Sequence, residues 1–127
     1  MTKERFEELA QRAFDSLPEE FTSRIDNVHV VIEDFPPDDV LERGVRDRHS
    51  LLGLYQGIPL PDRNTWYGAA PTVPDKISLY QQNIEAQSRN EREVEETIAE
   101  VLFHEIGHYF GMNEAEIRAA MKNFRRR

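Results

Sequence analysis

No cysteine occurs anywhere in this chain of 127 residues. Disulfides, thiolate-bound metal and a cysteine nucleophile are therefore excluded, and the composition fits a reducing compartment. Long apolar runs are missing too, and nothing approaches the roughly 20 residues that a membrane-spanning helix needs. The opening residues, Met1-Thr-Lys-Glu-Arg-Phe-Glu-Glu-Leu9, lack the apolar stretch of a secretory signal, so a cytoplasmic location is expected. Positive charge is scarce: 16 Lys and Arg against 24 Asp and Glu leave a formal net charge of −8. A surface of that sign repels phosphate backbones, so neither nucleic acid nor membrane is expected as a partner. The run Arg125-Arg126-Arg127 reads as a solvated helix end that complements the helix dipole.

What is present describes a soluble globular chain. Hydrophobic residues make up 39% and charged ones 31%, a balance that supports folding rather than disorder. The length suits one domain over residues 1–127, with a core that buries roughly two-thirds of the unfolded surface. Apolar spacing predicts a helix from about Thr2 to Leu17, with Phe6, Leu9, Ala10, Ala13, Phe14 and Leu17 on one face. Pro18 ends it or begins a second short turn. Val28 to Glu33 alternates as a strand, with Val28, Val30 and Ile32 on one side and His29, Val31 and Glu33 on the other. Phe35-Pro-Pro-Asp-Asp39 breaks that strand, a short helix is expected over Asp38 to Arg43, and Val45 to Ser50 reads as loop. Leu51 to Gly57 and Lys76 to Tyr80 read as two further strands. Between them, Ile58 to Asp75 is rich in Pro, Gly and Asn; its Trp66 and Tyr67 either pin the loop to the core or line a cleft.

Chemistry concentrates in one stretch, His104-Glu-Ile-Gly-His-Tyr-Phe-Gly-Met-Asn-Glu114, which reads H-E-x-x-H-x-x-G-x-x-E. On a helix, side chains four apart share a face with Cβ atoms about 5–6 Å apart. Two imidazoles at that spacing can converge on one tetrahedral Zn²⁺ with Zn–N bonds of about 2.0–2.1 Å. Glu105 points about 100° around the helix from His104, where it suits a general base acting on water at the metal better than a ligand. Gly111 suits a left-handed helix stop, after which the chain can turn and return Glu114 as third ligand. Two neutral imidazoles and one carboxylate leave a fourth position open, the arrangement of a catalytic rather than a structural zinc.

The surroundings agree. Asn90 is a good N-cap, and Glu91, Glu93, Glu95 and Glu96 occupy the dipole-favoured first turns. Beyond Glu100, Val101, Leu102, Phe103, Ile106, Tyr109 and Phe110 cover most of the circumference, so burial on several sides is expected. His104, Glu105 and His108 are the polar groups inside that half, and a cation would partner them. Gly107 leaves room for another element. Competing readings exist. Asn113 and Glu116 also look like the N-cap and N3 of a following helix, which makes Glu114 an ordinary first-turn acid and Glu116 the second choice as ligand. His29 and His49 are minor candidates for the third ligand, and Glu100 is a candidate acceptor for an imidazole N–H.

Three segments in order resemble the minimal zincin-like metallopeptidases: Leu52-Gly-Leu-Tyr-Gln-Gly-Ile-Pro-Leu60, Pro74-Asp-Lys-Ile-Ser-Leu-Tyr80 and the stretch from His104 to Glu114. The zinc motif alone is shared by many peptidases; the other two segments make the resemblance specific. It implies an α+β fold in which a small sheet of three to four strands packs on the active-site helix. It also implies one zinc ion on His104 and His108, with Glu105 as the catalytic glutamate. Family members often carry aspartate where this chain has Glu114, and a third histidine often stands where this chain has Tyr109.

The expected function is zinc-dependent hydrolysis of peptide bonds, with a peptide or an unfolded protein as substrate. An extended peptide is expected to pair with an edge strand beside the site. The alternative is a non-catalytic, metal-stabilised peptide-binding or regulatory domain on the same scaffold, a role that does not require Glu105.

Overall fold

The computed structural model describes residues 1–25, 28–41, 47–57 and 75–125. The expectations for Trp66, Tyr67, Arg126 and Arg127 lie outside the described residues. Helix α1 spans Lys3–Asp15 and opens on Thr2, whose side-chain oxygen accepts from the Arg5 backbone N–H at 3.1 Å. Phe6, Leu9, Ala10 and Ala13 are buried on the face that the sequence marked out. After Pro18 comes a single turn, α2 (Glu19–Thr22). Strand β1 covers Val28–Glu33, as its alternation predicts. Helix α3, Asp38–Leu41, begins where expected.

Strand β2 is Gly53–Gln56, shorter than the expected Leu51 to Gly57. The buried Asn83 side chain donates to the carbonyls of Arg48 and Leu51, both at 2.7 Å, and so ties Leu51 away from a neighbouring strand. Strand β3 is Asp75–Tyr80. It runs directly into α4 (Gln81–Ala86), a helix that the sequence did not announce. Tyr80 supplies no side-chain cap, and only Ile84 in that segment is a large apolar residue, so periodicity had almost nothing to register. Helix α5 covers Glu91–Tyr109, and α6 covers Glu114–Arg125.

The three strands form one sheet in the order β1-β3-β2, with β1 parallel and β2 antiparallel to β3. Register places Val30 and Tyr55 on either side of Ile77, and Ile32 and Gly53 on either side of Leu79. This set of residues shares one face. Ile77 and Leu79 from that face, Phe6, Leu9 and Ala13 from α1, and Ile98, Leu102 and Ile106 from α5 belong to one buried core. The result is an α+β layer with the zinc-motif helix laid over the sheet. Exposed pairs such as Arg5–Glu91 at 2.8 Å and Arg12–Glu95 at 3.2 Å join α1 to α5. Pairs of this kind contribute little beside the apolar burial.

Helix α6 rests on α5 at one close contact. Gly107 is buried, and a Cβ built there would stand 2.6 Å from Ile117 Cγ1 and 2.8 Å from its Cδ1. Ile117 is itself fully buried, so it has little room to withdraw. Substituting Gly107→Ala is therefore expected to push α6 off α5 and cost about 1–3 kcal/mol, the usual penalty of overpacking. Urea denaturation measures this; an unchanged midpoint would show that the two helices are not in such close contact.

Candidate metal centre

Helix α5 starts on Asn90, whose Oδ1 accepts from the Glu93 N–H at 2.9 Å. Its last three turns are buried by Val101, Leu102, Phe103, Ile106 and Tyr109. Tyr109 packs edge-on against Tyr55 and Phe110, at ring-centroid distances of 6.0 and 5.1 Å. The polar residues divide differently from the sequence expectation. Glu105 is buried, but the His104 and His108 side chains remain 35% and 36% exposed. The imidazoles thus line an opening to solvent rather than the interior.

The helix ends as Gly111 predicts. Its φ of 78° lies in the left-handed region that disfavours other residues. The Met112 N–H bonds the Gly107 carbonyl and the Gly111 N–H bonds the His108 carbonyl, each at 2.9 Å, a Schellman stop. Two residues later a reciprocal capping box opens α6. The Glu116 N–H donates to Asn113 Oδ1 at 2.8 Å, and the Asn113 N–H donates to Glu116 Oε1 at 3.0 Å. Glu116 is thereby committed to the cap. Glu114, the first residue of α6, turns back to the imidazoles, with Oε2 2.9 Å from His104 Nε2 and Oε1 3.3 Å from His108 Nε2. The two rings stand nearly perpendicular, with centroids 4.7 Å apart.

Glu105 occupies the other side of His104. Its Oε2 lies 2.7 Å from His104 Nδ1, and its Oε1 accepts the Tyr55 backbone N–H at 2.8 Å. His104, Glu105 and His108 can bring one donor atom each within 4.8 Å of one another. The Nε2 atoms, however, share Glu114 as their carboxylate, while Glu105 is held by Nδ1 and by β2. Bonds of about 2.0–2.1 Å in a tetrahedron separate ligand atoms by about 3.3 Å. The contacts of 2.9 and 3.3 Å across Glu114 are close to that edge. Two imidazoles and a carboxylate also match the donor chemistry that zinc accepts, so His104, His108 and Glu114 fit a zinc site.

The remaining candidates fall elsewhere. His29 is exposed on β1 and lines a groove against α1. His49 packs edge-on against Phe35 at 5.2 Å. At the His104 ring the acceptor beside Nδ1 is Glu105. Tyr55 was legible only as a strand residue, because a backbone donor leaves no mark in residue type.

The sequence model of the zincin-like metallopeptidase family matches residues 25–123. That span holds the three described strands, α5 and the groups gathered around Glu114. A search of curated proteins finds no match to the chain.

Electrostatics give the metal-free site a pH dependence. The hydrogen bond to Glu105, helped by Glu114 and opposed by burial, raises His104 from 6.5 to about 9. A raised imidazole stabilises the fold while charged, fully below its unfolded value, and the contribution is lost as pH rises through the folded one. The melting temperature of the metal-free protein should therefore fall between pH 6.5 and 9. A His104→Gln variant should lack this component; an identical pH profile in both proteins would rule out the assignment.

Proposed function

The chain belongs to the zincin-like metallopeptidase family, and from that premise we propose that it hydrolyses peptide bonds with one zinc ion held by His104, His108 and Glu114. The observation that carries this reading is the convergence of both Nε2 atoms on one carboxylate, at 2.9 and 3.3 Å, with Glu105 held at Nδ1 of the same His104 ring. When bound, zinc would supply a Lewis acid that polarises the scissile carbonyl and lowers the pKa of water towards about 7.

The protein side of the reaction rests on Glu105. Its carboxylate takes a proton from the attacking water and returns it to the leaving amine. The Tyr55 N–H fixes one oxygen and His104 Nδ1 holds the other. The sheet provides a place for an extended substrate. The Tyr80 N–H bonds the Leu52 carbonyl, so alternate residues along the antiparallel pair bond β3 while Gly53 and Tyr55 direct their backbone groups outward. Strand β2 is an edge of the described sheet and packs against α5. A peptide or unfolded segment adding to this edge would lie alongside the site. A purely binding role would use Glu105 only as the acceptor at His104 Nδ1 and the Tyr55 N–H, whereas peptide hydrolysis also uses its carboxylate as a base.

Zinc-loaded protein should cleave an unstructured substrate such as casein. Glu105→Gln should lower turnover by about 10²–10⁴-fold while retaining its zinc. Glu114→Ala should instead weaken zinc binding by more than about 100-fold, beyond the usual effect of groups that only touch a ligand. Parallel assays of cleavage and zinc content separate the two roles. Equal cleavage by wild type and Glu105→Gln would contradict the mechanism.

A further inference from the structure

The Tyr55 N–H that holds Glu105 is itself held in place from the opposite side of the sheet pairing. Register sets Tyr55 opposite Ile77, so Asp75 is its diagonal neighbour on the same face. Diagonal neighbours have Cα atoms about 7–8 Å apart, within reach of an aromatic side chain. The Tyr55 hydroxyl closes this distance by donating to Asp75 Oδ2 at 2.5 Å. Asp75 is 1% exposed, so water offers little competition for the bond. The position directly across from Asp75 is Gly57, where an added Cβ would stand 2.3 Å from Asp75 Oδ1 and 2.4 Å from Cγ. The carboxyl thus leans into space that only a missing side chain leaves. On its other side, the Tyr55 ring meets Tyr109 of α5 edge-on.

We propose that Asp75 and Tyr55 are positioning residues for Glu105: the buried carboxyl pins the Tyr55 phenol, which fixes the edge of β2 so that its outward N–H meets Glu105 Oε1. The inference rests on Glu105 being the general base. It explains why a short strand ending at Gln56 presents a fixed donor where its partner ladder is nearly finished. It also gives Gly57 a function, since the room opposite Asp75 is what lets the carboxyl reach the phenol. The ring alone would pack on Tyr109 equally well as phenylalanine, so the hydroxyl is the informative group.

Two readouts on the full chain test this. In metal-free, ¹⁵N-labelled protein, Tyr55→Phe and Gly57→Ala should each speed hydrogen exchange of the position-55 amide by about tenfold, with the Ile77 and Leu79 amides unaffected. In zinc-loaded protein acting on casein, the same variants should lose about 10–100-fold in kcat, as for a displaced reacting group, with zinc affinity unchanged. Asp75→Asn keeps an acceptor for the phenol and should recover most of both losses, whereas Asp75→Ala should not. Wild-type exchange at position 55 in Tyr55→Phe would overturn the proposal. So would exchange that rises equally across β3, because that describes a contribution to the fold alone. If wild-type protein fails to cleave casein, the peptidase reading suffers, and the exchange comparison still decides the brace.

Discussion

The site depends on a chain reversal at the end of α5. His104 and Glu114 are ten positions apart, and in an uninterrupted helix that separation is about 15 Å along the axis. The Schellman stop at Gly111 turns this into a 2.9 Å contact. Three further features keep the reversal in place. Asn113 and Glu116 cap the new helix, Ile117 settles against Gly107, and both imidazoles meet the returning carboxylate. Removing the left-handed residue would separate the Glu114 carboxylate from the two histidines even if every element survived.

The charges around the site are arranged for a cation to replace a proton. His104 is held up towards the charged form by Glu105 and Glu114, and Glu114 is pushed below the ordinary carboxylate range chiefly by the His104 ring. An imidazolium at His104 offsets one negative charge, and Zn²⁺ at Nε2 would take the place of the proton that faces Glu114. Metal binding must expel that proton, which couples affinity to pH. The two histidines are both partly exposed, so solvent reaches the groups that would change partners. Glu105 is buried and bonded to β2, so it stays in place while its neighbours change partners.

Much of this was legible in the sequence, for reasons that differ by residue. His104, Glu105 and His108 were readable because a helix converts spacing into direction. Gly111 and Asn113 were readable because helix stops and caps depend on backbone chemistry specific to a few residue types. Spacing favoured Glu114 and left Glu116 as second choice, since both sit in the first turn of α6; the capping box shows where Glu116 points. The buried polar half of α5 was misjudged for the histidines, because periodicity gives a direction around a helix but not what covers it. Helix α4 left almost no apolar trace. The contact between Glu105 and Tyr55 was invisible for a deeper reason: its donor is a backbone N–H, and its direction follows from antiparallel register across a long connection.

The central claim is the identity of the third ligand and the separate task of Glu105. Diffraction from zinc-loaded crystals, with an anomalous map at the zinc edge, tests it most directly. The account predicts a peak about 2.0–2.2 Å from His104 Nε2, His108 Nε2 and a Glu114 oxygen, with Glu105 outside bonding distance and still bonded to the Tyr55 N–H. A zinc bound directly by Glu105, with Glu114 turned to solvent, would contradict it.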